Sequence, residues 1–177
     1  VMFAVPIGHA VGAETQKERE KAVWAAIKKS DIQLKSRKHL DAIITLKPYF
    51  SENFSTLLRY YRAHRSLGKM DEFIKLVEPV ADRGNIEASY FVAEAYSRIP
   101  VLLNKKEKFK KYSKALHFYK IAASQNHYLA MDKLGQIYFT GVVGSDFFDE
   151  SVPYRNYTEA LMYFERCSVG KAYYDNR

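Results

Sequence analysis

Cysteine is almost absent from this chain: Cys167 stands alone, so no disulfide can close within it, and the paired spacing of a redox or zinc site is missing. It falls where the sequence elsewhere has Ala122, which predicts a small buried hydrophobe. Glycine and proline are scarce, at eight and five residues, which argues against a turn-rich β-protein and for helices. Sequence signatures of chemistry are missing too. The sequence has no glycine-rich phosphate loop, nucleophile elbow or kinase signature. Its histidines, His9, His39, His64, His117 and His127, never pair at i, i+4 as metal ligands do. Asp146, Asp149 and Glu150 lack the alternating oxygens and turn glycine of a calcium loop. Zinc-finger spacing, an aromatic RNA-binding signature and a DNA-reading helix pair are likewise missing. The expectation is therefore a protein without catalytic residues, metal or cofactor, and without specific nucleic-acid binding.

Aromatic residues and positive charge are abundant. Fourteen tyrosines and eleven phenylalanines are more than a disordered linker carries and supply a core. The net charge is +8, with Lys105, Lys106, Lys108, Lys110, Lys111 and Lys114 crowded together. Such a cluster fits a solvated face, or attachment to an anionic polymer or membrane surface. The opening Val1 to Ala13 is uncharged and apolar. It is too short to span a bilayer, but Val11-x-Ala13 has the small-residue form of a signal cleavage site. This favours a periplasmic or secreted protein, with a cytoplasmic one carrying an apolar arm as the alternative.

Apolar spacing predicts helices throughout. Residues 15–30 carry Ala22, Val23, Ala26 and Ile27, with Trp24 beside them. Residues 36–47 carry Leu40, Ile43, Ile44 and Leu46 before Pro48. The two read as a cap over 14–50. Residues 51–84 read as a helical hairpin. Ser51 is expected to cap its first helix, with Phe54, Leu57, Leu58, Tyr60 and Tyr61 inside, ending at Leu67-Gly68. Asp71 is expected to open the second, with Phe73, Ile74, Leu76 and Val77, Pro79 bending it or freeing the Lys75 carbonyl, and Gly84 closing it.

Beyond Gly84 the sequence repeats itself. Ala88, Ala130 and Ala172 stand 42 residues apart, and Val92-Ala93-x-x-Tyr96 matches Leu134-Gly135-x-x-Tyr138 at the same offset. A fixed period of this size marks stacked helical units. Residues 85–126 make one, with Asn85 as cap, a loop over 99–109 and a helix carrying Ala115, Leu116, Tyr119, Ala122 and Ala123. Residues 127–168 make the next, with a loop over 141–155, Asn156 and Glu159 as a capping pair, then Ala160, Leu161, Phe164 and Cys167. The interval Ala130 to Ala160 is three residues longer than Ala88 to Ala115, and the following connection three shorter. Residues 169–177 would begin a further unit.

The run Ala130-x3-Leu134-Gly135-x2-Tyr138-x2-Gly141-Val142, with Ala160-Leu161-x-Tyr163-Phe164, resembles the Sel-1-like repeat of the tetratricopeptide-like superfamily. Residues 88–126 match the same pattern, whereas 51–84 read Tyr60-Tyr61 in place of Leu-Gly and look more like a tetratricopeptide hairpin. The loops depart from the family, since only Gly141-Val142 survives of its Gly-Val-x-x-Asp turn. The resemblance implies an all-α, right-handed α-solenoid of about three antiparallel hairpins after an N-terminal cap. It also implies a scaffold or adaptor, in a bacterial envelope or secreted assembly, that holds a protein or peptide on its concave face. The family groove would fall to Leu58, Arg62 and Arg65, to Glu87, Tyr90, Glu94 and Arg98, and to Asp132, Gln136 and Phe139. Loop contacts would come from Lys105, Lys106, Lys108 and Lys110, and from Phe147, Phe148 and Tyr154. An uncovered face on the last unit would favour self-association.

Overall fold

The computed structural model describes residues 15–98, 103–141, 143 and 155–175, with the side chains of Lys105 and of residues from 170 onward outside the description. The apolar opening and the aromatic residues Phe147, Phe148 and Tyr154 lie outside it. Among the described residues the chain forms eight helices and no strand: α1 Gln16–Lys35, α2 His39–Leu46, α3 Phe54–Ser66, α4 Met70–Ala81, α5 Ile86–Ser97, α6 Lys105–Ser124, α7 Tyr128–Thr140 and α8 Tyr157–Asp175. Each packs on the next in sequence, and α3 in addition touches α1 and α5. None of the described helices is long and apolar enough to cross a membrane.

Local chemistry sets the helix ends. At α1 the Thr15 hydroxyl accepts from the Glu18 amide while the Glu18 carboxylate accepts from the Thr15 amide, a reciprocal cap. Asn85, Asn104 and His127 accept from the third amide beyond them to start α5, α6 and α7, and Asn156 accepts from Thr158 and Glu159 at α8. Ser51 does not cap α3; Asn53, two residues on, does so with Thr56. Nor does Asp71 cap α4: the helix starts one residue earlier, behind Lys69, and Asp71 sits in its first turn, where its charge meets the amide end. Gly68 at φ +68° is the left-handed residue that closes α3. Behind it the Lys69 amide reaches the His64 carbonyl and the Gly68 amide that of Arg65. Gly84, Arg37 and Asn126 close their helices with the same two bonds.

Two expectations about helix extent change. Residues 105–109, read as loop, are the first turns of α6; lysine is a good helix former, and Asn104 supplies the cap. Pro79 stands inside α4, as expected, and the helix runs on to Ala81; both Pro79 and Lys75 are exposed, so water can meet the carbonyl that loses its donor. Ala172 opens no new helix, because α8 continues past it to Asp175.

One core runs from Ala42 on α2 to Tyr163 on α8. The 42-residue repeat is visible in it: Ala88 and Ala130, Val92 and Leu134 are fully buried, and Tyr96 and Tyr138 nearly so. Ala93 and Gly135 are buried at the matching place. Gly135 has a further reason to lack a side chain, since a Cβ there would stand 2.6 Å from Cε1 of Phe164. An aromatic group fills the α2–α4 end, with Tyr60 stacked on Phe50 and both Tyr61 and His64 edge-on to Phe73. The short α2 buries Ala42, Ile43 and Leu46 and turns Leu40 and Ile44 outward, and Trp24 on α1 is exposed too. Cys167 is half-buried rather than buried, its thiol donating to the Tyr128 carbonyl.

Candidate functional site

Polar side chains join the odd-numbered helices in a row. Between α1 and α3, Arg59 grips Asp31 with two parallel bonds, Nε to Oδ1 at 2.7 Å and Nη2 to Oδ2 at 2.9 Å. Those bonds hold the Asp31 carboxyl below its ordinary range, against the opposing effect of partial burial. Between α3 and α5, Arg98 Nε donates to Tyr61 Oη at 2.7 Å. Between α5 and α7, Lys133 lies 3.8 Å from Glu94. Arg98 approaches the same carboxylate at 3.6 Å.

Glu94 anchors this row from beneath. It is only 7% exposed and accepts a 2.7 Å hydrogen bond from Tyr119 Oη on α6. A buried carboxylate is costly unless paired and hydrogen-bonded, and here a phenol and two cations meet that need. Burial, with Glu94 close by, drives the Tyr119 phenol well above its usual range. Tyr90 is also held up chiefly by burial; its ring stacks on His127 at 4.7 Å and meets Phe91 edge-on.

The ten residues expected to line a groove therefore fall into three kinds. Tyr90 and Glu94 are buried, and their side chains tie α5 to α6 and α7 rather than standing free. Arg62, Arg65, Arg98, Gln136 and Phe139 are exposed, while Leu58, Glu87 and Asp132 are half-buried. Gln136 donates to Asp132 at 2.7 Å, and Phe139 meets Tyr157 edge-on. Sequence reasoning missed Asp31, Arg59 and Lys133. Arg59, Arg62 and Arg65 recur every third residue, which places them on one stripe of α3 and could have pointed to it.

The lysine cluster lies on α6, facing α4. Lys111 reaches Asp71 at 3.3 Å and Lys114 reaches Glu78 at 2.7 Å. Tyr96 Oη completes a triangle, donating to Glu78 and accepting from Lys114. These bonds, with Glu78 the largest influence, hold the Lys114 ammonium above its ordinary range. Part of the cluster's charge is thus met by carboxylates of the same chain. Lys106 and Lys110 remain exposed beside Phe109 along an open cleft of about 960 Å³, and Lys108 is half-buried.

An apolar face stands uncovered on α8. Tyr157, Leu161 and Phe164 are exposed, whereas Tyr112, Leu116 and Tyr119, 45 residues earlier on α6, are buried. α6 is packed by both α5 and α7, whereas α7 is the described helix that packs on α8. Among the described residues, no group of three or more His, Cys, Asp or Glu is placed to hold a metal ion. No family model matches the chain, and no curated protein matches it.

Proposed function

We propose that this chain is a non-enzymatic scaffold of the Sel-1-like, tetratricopeptide-like kind. In this reading α3–α4, α5–α6 and α7–α8 are three antiparallel hairpins of a right-handed α-solenoid, α1–α2 is its cap, and α1, α3, α5 and α7 line the concave face. That face holds an extended peptide or a protein segment. The observation that carries the reading is the polar row Asp31–Arg59, Tyr61–Arg98 and Glu94–Lys133, which links each odd-numbered helix to the next odd one. Side-by-side first helices are what a repeat array presents to a partner, and fixed side chains between them keep such a surface in shape before a ligand arrives. Burial that repeats at the 42-residue period also supports it.

Attachment through the lysine cluster is less favoured, because Lys111 and Lys114 are already paired within the chain. A displayed library of random peptides, panned on the folded protein, tests the proposal. Selected peptides should lose binding to a variant carrying Arg62→Ala, Arg98→Ala and Gln136→Ala, and keep binding to one carrying Lys106→Ala and Lys110→Ala. Failure to recover any binder, or binders indifferent to the first variant, would count against a peptide-holding face.

A further inference from the structure

We infer that the α1/α3 end of this face is a receptor for acidic side chains, so that the segment it holds carries aspartate or glutamate there. The inference rests on the scaffold reading and gives the partner's chemistry at one end of it.

A cleft of about 600 Å³ opens between α1 and α3. Lys35 and Asp31 line it from α1, His39 from the start of α2, and Arg62 and Arg65 from α3, with Leu34 as an apolar wall. Asp31 is the one carboxylate in that lining, and Arg59 occupies both of its oxygens. Lys35 and Arg62 act on Asp31 as more distant charges. Neither they nor Arg65 bonds to a carboxylate among the described residues. The His39 Nδ1 in the same lining is buried without a hydrogen-bond partner.

The arrangement is like-charged where a structural contact would be oppositely charged. One turn from the Asp31–Arg59 pair, α1 presents Lys35 and α3 presents Arg62, so each helix lines the cleft with a cation. A bridge that only joined the helices would repeat the acid–base pairing. The carbonyl ends of α1 and α3 offset part of the charge on Lys35 and Arg65, but Arg62 lies in the middle of α3 and has no such partner. Two guanidinium groups three residues apart on one helix offer forked donors to carboxylates. The forked Asp31–Arg59 pair, whose acid lines the cleft, shows the geometry that such a bound acid would adopt. Farther along the row, Arg98 and Lys133 share the carboxylate of Glu94, whereas Lys35, Arg62 and Arg65 have none among the described residues, so more of the unspent positive charge lies at the α1/α3 end.

The test is fluorescence anisotropy of a fluorescein-labelled octaglutamate peptide titrated with the whole chain at low salt. Arg62→Ala with Arg65→Ala should weaken binding about tenfold or more, since charge-assisted forked bonds are lost. Arg62→Lys with Arg65→Lys should restore only part of it. Lys35→Ala should weaken it on its own, which guards against a helix-end effect of Arg65, and circular dichroism checks that each variant folds. Lys106→Ala with Lys110→Ala should leave binding within about twofold. Equal losses in the two double variants would show diffuse attraction to a basic protein and overturn the inference. So would binding of inorganic phosphate or of anionic lipid vesicles through the arginines with no binding of octaglutamate. If the scaffold reading holds but this one fails, the library yields peptides with no acidic enrichment that ignore Arg62→Ala with Arg65→Ala. If the scaffold reading fails, it yields none, or only binders indifferent to the Arg62→Ala, Arg98→Ala and Gln136→Ala variant.

Discussion

Tyr119 on α6 donates a 2.7 Å hydrogen bond to the buried carboxylate of Glu94 on α5, and that carboxylate also faces Arg98 and Lys133. One acid thus serves a packed phenol below and two cations above. Glu94→Ala strands the Tyr119 hydroxyl and leaves both cations without their acid, at a cost of about 2–4 kcal/mol. Glu94→Gln keeps an acceptor and should cost about 1 kcal/mol. Urea denaturation of the two variants checks the ranking. Equal midpoints for Glu94→Ala and the wild type would show that the network contributes nothing to stability.

Gly135 and Phe164 form a second coupled pair, because the ring lies where a Cβ would go. Gly135→Ala gains helix propensity worth about 1 kcal/mol but must displace the ring, at about 1–3 kcal/mol of overpacking. The single variant should be neutral to destabilised. In a Phe164→Ala background the same change should stabilise the chain by about 1 kcal/mol. A double-mutant cycle without coupling would mean the ring moves away freely.

Two buried histidines predict acid sensitivity. His64 Nδ1–H donates to the Tyr60 carbonyl at 2.9 Å, leaving Nε2 buried without a partner. His127 Nδ1 accepts from the Ala130 amide. Burial, the largest influence on each, lowers both from the ordinary 6.5. The unfolded chain therefore takes up protons that the folded one refuses. Stability is fully present above pH 6.5 and is lost as pH falls through the lower folded values, at most about 1.4 kcal/mol per pH unit for each histidine. His127→Asn keeps a cap and removes one titration, so its urea midpoint should fall less steeply between about pH 7.5 and 5.5. An unchanged profile would place the acid sensitivity elsewhere.

The α8 face predicts a solution property. Tyr157, Leu161 and Phe164 are exposed where their α6 counterparts are buried, and apolar patches of this kind drive association. Sedimentation should reveal concentration-dependent association that Leu161→Lys removes. Monomers at all concentrations would contradict it.

How much of this was legible follows from the range of each signal. Local patterns revealed the all-helical class, the Asn85 cap and the Gly68 and Gly84 closures, because each is decided within a few residues. Lysine density at 105–109 was misleading, since charge was read as loop although Asn104 and lysine both favour a helix. The row across the odd-numbered helices was not legible. Asp31 and Arg59 lie far apart in sequence, and nothing local tells which side of α1 will meet α3. The groove expectation placed Tyr90 and Glu94 on the open surface for a similar reason: only the packing of α6 against α5, with His127 stacked on the Tyr90 ring, buries them.

The central claim is that the odd-numbered helices form the holding surface. An amide NMR titration of the chain with a library-selected peptide tests it most directly. The account predicts shifts concentrated near Lys35, Arg62, Arg65, Arg98 and Gln136, with little change along α4 and the Lys106 to His117 stretch of α6. Shifts concentrated on α4 and α6, with the α3 arginines unmoved, would contradict it.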